Sequence, residues 1–366
     1  MCAFERSEKG MKFFMKKIAL VADVKDWAFD IAAQIIKRAL SDKYQIDIYY
    51  TKSEEFKKDL FKILETLKDY DLIHFFWRYI LLDFEENEEF KQKVINKYGN
   101  YEEYTKRMVS KISTGIYDHL YEDDIKFNQT FTKYCKKYVV SSQKLFDIYN
   151  NIDGIKKPTA IIGDTFEKEK FYPLNMERFN FKSGEPLVIG WVGNSKWNEK
   201  QKDENGNFID FKGFHTVLKP VIEELQKDGY NIKLQTADKA VKQISNDDMC
   251  EYFSNIHIYT CVSYKEGTPK PLLEAMGCGV PVITTDVGVV NEALGLEGKQ
   301  FILGKRIIGI NDSQIKEKLK EKIIYLYNNK DLLKILSNEN YENSKKFEIG
   351  EIKQKFDTYF ENFINN

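Results

Sequence analysis

Two carboxylates, Glu266 and Glu274, punctuate the stretch KEGTPKPLLEAMGCGVPVITTD, which runs from Lys265 to Asp286. The stretch follows an apolar run, IHIYTCVS (256–263), and ends in another, PVITTD (281–286). It therefore begins at the carboxyl end of a strand, the edge at which open parallel sheets bind ligands. Thr268 is a natural N-cap, and Pro269 suits a first helical position, where its missing N–H costs nothing. The spacing predicts a helix over 269–277, ended by Gly277 and Gly279. Glu266 then stands in the loop ahead of the helix and Glu274 in its second turn. The helix start between them offers unpaired N–H groups and a positive dipole end, a seat for phosphate. A carboxylate on each side can accept hydrogen bonds from sugar hydroxyls, and neither is expected to be buried without a ligand. The plain alternative is two surface glutamates around a capped helix.

The remaining reactive residues are sparse. His74, in LIHFFWR, lies within a predicted strand and reads as a satisfied core histidine, while His215 and His257 carry no signal. In STGIYDHLYEDD, Asp118 and His119 form either a polar pair at a cleft or an ordinary helix start. The five cysteines, Cys2, Cys135, Cys250, Cys261 and Cys278, show no CxxC spacing and no histidine at metal spacing. They read as reduced, mostly buried thiols of a cytoplasmic protein. YEDD (121–124) is the nearest approach to a DxD metal motif, and a charged helix start explains it better. No metal or other cofactor is expected.

The 56 Lys and Arg nearly cancel the 57 Asp and Glu, which excludes a nucleic-acid binder working through bulk positive charge. No apolar run approaches the ~20 residues of a membrane span. MKFFMKKIALVADV starts basic and turns apolar, but Asp23 breaks it and no small-residue cleavage site follows. It reads as a first strand rather than a signal peptide, with a floppy leader before Met11.

These residues must be positioned by an alternating framework. At 366 residues the chain is about right for two domains. Strand runs are predicted at 17–23, 45–50, 70–77, 111–118, 137–142 and 159–164, then at 187–193, 231–238, 256–263 and 281–286. Helical spacing lies between them, which predicts α/β units with parallel sheets. Residues 84–110 read as a dense charged helical insertion and 174–186 as a linker. Asn205-Gly206 predicts a hairpin turn rather than a calcium loop.

The run EGTPKPLLEAMGCGVPVITTDVGVVNE resembles the Glu-x7-Glu signature of retaining glycosyltransferases with the GT-B fold, especially glycosyltransferase family 4. Ala275, Gly279, Pro281, Gly288 and Glu292 fall at family positions. The resemblance implies α/β architecture with two Rossmann-like, doubly wound domains facing each other across a cleft. Residues 12–178, with a C-terminal helix at 350–366 crossing back through Phe356, Tyr359, Phe360 and Phe363, would bind the acceptor. Residues 185–349 would bind the nucleotide-sugar donor. Glu266 would meet the donor sugar and Glu274 the nucleotide ribose. IGWVGN…FKG resembles the family's Gly-Arg…Lys-Gly pair, with Lys212 at the lysine, Gly213 behind it, Asn194 where arginine is usual, and Lys196 as a substitute. Gly193, Gly267, Thr268, Pro269 and Lys270 complete the implied donor site. Asp118 aligns with the aspartate of the family's His-Asp element, Tyr117 stands at its histidine, and His119 is displaced by two. Asp118, His119 and Glu266 are the implied catalytic residues. The loop DVKDWAF has no glycine where family members often carry several.

The implied activity is metal-independent, hexosyltransferase-like transfer with retention, from a UDP- or GDP-linked sugar. The acceptor would be a glycan, a lipid-linked molecule or a protein, with peripheral membrane contact among the readings. The alternatives are a catalytically silent GT-B subunit that binds a partner, and a sugar-nucleotide epimerase.

Overall fold

A computed structural model describes residues 15–196, 202, 206, 209–242 and 244–365. The apolar runs fold as ten strands: β1 (Lys17–Ala22), β2 (Gln45–Tyr50), β3 (Leu72–Phe75), β4 (Ile112–Ile116), β5 (Lys137–Val140), β6 (Ala160–Ile161), β7 (Leu187–Gly193), β8 (Ile232–Asp238), β9 (Ile258–Cys261) and β10 (Val282–Thr284). Each lies inside a stretch expected to be a strand. The reason is burial on both faces, as in Ile18–Ala22, where no residue exceeds 1% exposure. Helices cover such sheets on both sides, so their strands read as unbroken apolar runs. The hairpin expected at Asn205-Gly206 falls largely on residues outside the described set.

The first sheet has the order β2-β1-β3-β4-β5-β6 and the second β8-β7-β9-β10. Every described pairing is parallel, for example Leu187↔Ile232 through Gly193↔Asp238 between β7 and β8. Strand order reverses between β1 and β3 in one sheet and between β7 and β9 in the other. At such reversals successive crossovers leave toward opposite faces and open a crevice at the carboxyl ends. Residues 193–196 and 262–270 leave the second sheet at its reversal.

By packing, the chain divides into two compact units. One falls within Met1–Thr114, Tyr134–Lys136 and Phe360–Asn366, the other within Gly115–Lys133 and Lys137–Tyr359. In the first unit the charged insertion folds as helices Asp83–Glu86, Glu88–Tyr98 and Tyr101–Val109, with Asn87 and Asn100 capping the last two through their side chains. Phe360 meets Tyr44 edge-on at 5.9 Å, and Lys136 lies 4.7 Å from the Phe363 ring. In the second unit Trp191, Val217, Leu218 and Leu319 anchor the core on one side of the sheet, and Phe253, Tyr259, Leu273 and Met276 that on the other.

His74 is fully buried, with Ser113 Oγ 2.9 Å from its Nδ1. Burial pushes its pKa from 6.5 down to about 3. The unfolded chain therefore takes up a proton that the folded chain refuses, so this ring's contribution to stability is lost as pH falls from about 6.5 toward 3. A His74→Asn variant keeps a partner for Ser113 and does not titrate. Its stability deficit relative to the wild type should shrink between pH 7 and pH 4 in urea unfolding; a constant deficit would contradict the assignment.

Candidate active site at the carboxyl end of the second sheet

Three strand ends build the site. At the end of β8, Asp238 is 5% exposed and accepts hydrogen bonds from Ser195 N at 3.0 Å and Ala240 N at 2.9 Å. Burial raises its pKa, but these bonds outweigh it and hold the carboxyl below its ordinary range. His215 Nε2 lies 3.1 Å from Ser195 O, so a histidine without a sequence signal braces the same loop. Gly193 closes β7, and Asn194 Oδ1 accepts from Lys196 N at 3.0 Å. The Asn194 side chain is thus spent on its own turn, and Lys196 is exposed.

Lys212 is carried by a second turn. Asp210 is 2% exposed, and its Oδ2 accepts from His215 N at 2.7 Å and Thr216 N at 2.8 Å, holding the start of the next helix. Gly213 turns the chain at φ 68°, and a Cβ there would come 2.3 Å from Val262 O. Only glycine permits both the conformation and the close approach. Arg306 sits behind this turn without any exposure. It donates to Asp210 O at 2.8 Å, Val262 O at 3.3 Å, Thr216 Oγ1 at 2.9 Å and Asp312 Oδ1 at 2.6 Å. The turn so fixed brings Lys212 Nζ within 2.5 Å of Glu266 Oε1. Burial pulls the Lys212 pKa down, but the Glu266 charge and hydrogen bond more than reverse it, so the ammonium stays charged.

The helix after Glu266 spans Lys270–Gly277. Pro269 takes the N-cap position, and no side chain caps the helix, so the cap expected of Thr268 is not made. Proline at 269 and 271 removes two donors from the helix start, which narrows the phosphate seat to the N–H groups of Thr268 and Lys270. The helix is buried almost all round: Leu272, Leu273, Ala275 and Met276 are each fully buried. Glu274 therefore has no solvent face and is 6% exposed, contrary to expectation. Burial raises its carboxyl pKa, with Lys270 and Lys239 opposing and Glu167 adding to the rise. Among the described residues no hydrogen bond holds this carboxylate. Asp164, just beyond β6, is likewise raised by burial and opposed by Lys270. One lysine thus serves two carboxylates.

The 117–122 segment reaches the same place. A Cβ on Gly267 would lie 1.6 Å from Tyr117 O, so the glutamate loop passes against this segment only as glycine. Lys265 Nζ donates to His119 O at 3.1 Å. His119 is 6% exposed, with its Nδ1 2.6 Å from Glu122 Oε1 and its Nε2 buried without a hydrogen-bond partner. Burial raises Glu122, but His119 and the nearby Lys265 and Lys305 win and lower it. Asp118 Oδ1 accepts from Leu120 N at 3.0 Å, which shapes the turn. The fold thus brings Asp118 and His119 beside Glu266 and Gly267. Glu292, in contrast, accepts from Gln143 N at 2.8 Å and serves the start of helix Gln143–Asn151.

Sequence reasoning did not single out Asp210, Arg306 or Asp164, and met Glu122 only within YEDD, read as a charged helix start. Asp210 alone carried a local signal, an aspartate just ahead of a glycine-led helix start. The raised Glu274 pKa has a stability consequence. A carboxyl whose folded pKa lies above its unfolded value destabilises the fold where it is charged, and the penalty fades as pH falls through the folded value. Glu274→Gln should therefore raise the unliganded melting temperature at pH 7.5, by about 2–4 °C for each kcal/mol relieved. The advantage should narrow at pH 5. A lowered midpoint at pH 7.5 would mean that the charge is stabilised by a partner.

Residues 219–343 match the family model of Glycosyl transferases group 1, a span that holds Glu266 and Glu274 but not Lys212. An uncharacterized glycosyltransferase of Methanocaldococcus jannaschii is 29% identical over 160 residues, 39% of this chain and 42% of that protein. The match thus spans about two fifths of the relative's length. Sucrose-phosphate synthase from Thermosynechococcus elongatus is similar in structure, with a TM-score of 0.62 at 14% identity, over 96% of this chain and 99% of that one. HepE of Anabaena, solved with UDP, gives 0.62 at 12% identity over 95% and 100%. The catalytic domain of starch synthase IV from Arabidopsis thaliana, bound to ADP and acarbose, gives 0.63 at 9% over 96% and 100%. At these identities the likeness is one of fold: the chain has two parallel α/β Rossmann-like sheets like those of the GT-B glycosyltransferases, and residues 219–343 are similar to the Glycosyl transferases group 1 family.

Proposed function

We propose that this protein is a metal-independent retaining glycosyltransferase that moves a hexosyl group from a nucleoside-diphosphate sugar to a hydroxyl acceptor. The observation that carries the reading is the Lys212–Glu266 pair, 2.5 Å apart at the strand reversal of the second sheet, with the buried Glu274 one helix segment further on. The similar structures solved with UDP and ADP support a nucleotide-linked donor. On this reading residues 185–349 hold the donor and 12–178 the acceptor.

Departure of a nucleoside diphosphate builds negative charge that must be neutralised in place. Fixed cations and N–H dipoles supply this without reorganising, which is where most of such catalysis arises. Lys212 is the held cation. It rests on Glu266 Oε1, and its remaining N–H groups are left to meet the diphosphate. Glu266 keeps Oε2 to accept a hydrogen bond from the sugar. Glu274, without a hydrogen-bond partner among the described residues, receives the ribose hydroxyls. His119 and Asp118 lie beside the Glu266 loop, on the side of the reacting sugar. Asn194 contributes turn geometry rather than a clamp, so Lys212 carries the role that the family divides between two cations.

The two glutamates should separate in experiment. Glu274→Ala removes a charged acceptor worth about 1.5–3 kcal/mol, so nucleoside diphosphate affinity should fall roughly tenfold to a hundredfold. Glu266→Ala should leave bare UDP or GDP binding within about threefold and instead abolish most turnover, because its partner is the sugar. Calorimetric titration of both variants, followed by transfer assays with and without EDTA, distinguishes the readings. Equal nucleotide affinity in wild type and Glu274→Ala would refute the ribose assignment. Activity lost in EDTA and restored by manganese would refute metal independence. Isomerisation without transfer would point to an epimerase, and neither reaction to a silent subunit.

A further inference from the structure

The first unit presents a second carboxyl-edge feature, at the strand reversal between β1 and β3. The chain leaving β1 reads Asp23-Val24-Lys25-Asp26-Trp27, and Trp27 is 57% exposed. Tryptophan is highly buried on average, and here more than half of the residue is left open to water. The loop that presents it is built rather than loose. Asp26 takes a left-handed backbone conformation, φ 63°, and its N–H donates to Asp30 Oδ2 at 2.8 Å. Asp30 is 3% exposed, and its other oxygen receives Tyr50 OH at 2.9 Å and Gln34 Nε2 at 3.2 Å. Behind the loop Phe29 stacks on Phe76 at 5.8 Å, which gives the first helical turn a rigid aromatic footing.

Polar groups flank the indole. Lys52 Nζ lies 5.8 Å from the Trp27 ring centroid and 3.0 Å from Asp23 Oδ2, and Lys52 N donates to Asp23 O at 3.1 Å. Asp23 and Asp26 balance Lys25 and Lys52, so the patch offers no net attraction to an anion. The loop has no glycine and so no bare-backbone approach for a phosphate. A flat apolar face edged by one ammonium and one carboxylate matches a neutral pyranose: its C–H face lies on the ring, and its hydroxyls reach Lys52 and Asp23. Balanced charge likewise disfavours an anionic bilayer, which attracts clustered basic residues.

We propose that Trp27 is the stacking platform for the sugar ring of the acceptor, a neutral hexopyranoside, with Lys52 and Asp23 taking its hydroxyls. This rests on the glycosyltransferase reading and narrows its acceptor to a carbohydrate. The test uses the full chain with methyl glucopyranoside, methyl galactopyranoside and methyl mannopyranoside as probes. At least one should change tryptophan emission saturably in the wild type and not in Trp27→Phe. In transfer assays Trp27→Ala should raise the acceptor KM tenfold or more, while the thermal shift produced by UDP or GDP stays unchanged. An unaltered acceptor KM, or no emission change with any of the three glycosides, would overturn the platform. So would wild-type co-sedimentation with phosphatidylglycerol vesicles that Trp27→Ala loses, since a membrane would then own the ring. If the wild type turns over no nucleotide sugar, the transferase reading falls, and the emission titration still judges the platform on its own.

Discussion

One buried guanidinium holds the second sheet's site in register. Arg306 is fully buried and joins the 210–212 turn, the end of β9 and Asp312 through charge-assisted hydrogen bonds. A buried charge is costly unless its hydrogen-bonding capacity is met, and here carbonyl, hydroxyl and carboxylate acceptors meet it from several directions. The cost is local and the consequence is geometric. Val262 leads into the glutamate loop and Asp210 into Lys212, so the distance between Lys212 and Glu266 follows from what Arg306 grips. Breaking one partner of such a buried pair costs about 3–5 kcal/mol, enough to keep these three segments from drifting apart in the native state.

The framework was legible because parallel strands buried on both faces have no polar alternation to confuse them. Runs such as KIALVA and LVIGWV carry their own assignment. The glutamate loop was legible too, since proline and glycine punctuate it and spacing fixes which side of the helix start each carboxylate takes. The error at Thr268 came from weighing the capping side chain above the prolines. With Pro269 and Pro271 in place, the first turn has few N–H groups left for a cap to satisfy. Glu274 was misjudged for a similar reason. Leu272, Leu273, Ala275 and Met276 surround it in sequence, and a helix apolar all round has no water-facing stripe on which to place a carboxylate. Arg306 and Asp164 were hidden because their partners lie far off in sequence, and Glu122 because YEDD read as no more than a charged helix start. No local spacing announces an arginine that bonds to residues 44 to 96 positions away.

The charges in the second unit suggest why an unliganded site of this kind remains poised. Lys212 is satisfied by Glu266, and Lys270 is divided between Asp164 and Glu274, both of which burial pushes toward the protonated form. A polyhydroxylated nucleotide sugar brings what this set lacks, hydroxyl donors for carboxylates and an anion for Lys212. On the proposed reading, binding it relieves penalties that folding alone has to carry, and part of the affinity comes from that relief.

On the proposed reading, the two strand reversals meet their ligands with different chemistry. At the second, charge dominates: carboxylates and lysines converge, and glycine at 213 and 267 lets backbones approach within contact distance. At the first, no glycine interrupts the loop after β1, charges cancel, and an indole face is offered instead. A diphosphate needs the first kind of surface, because only fixed charge and N–H groups match its density. A neutral ring needs the second, because stacking rewards a flat apolar face and tolerates variation in the hydroxyl pattern at its edge. On that reading the glycine-free loop after β1 suits a neutral ring: it offers an aromatic face where no phosphate has to be met.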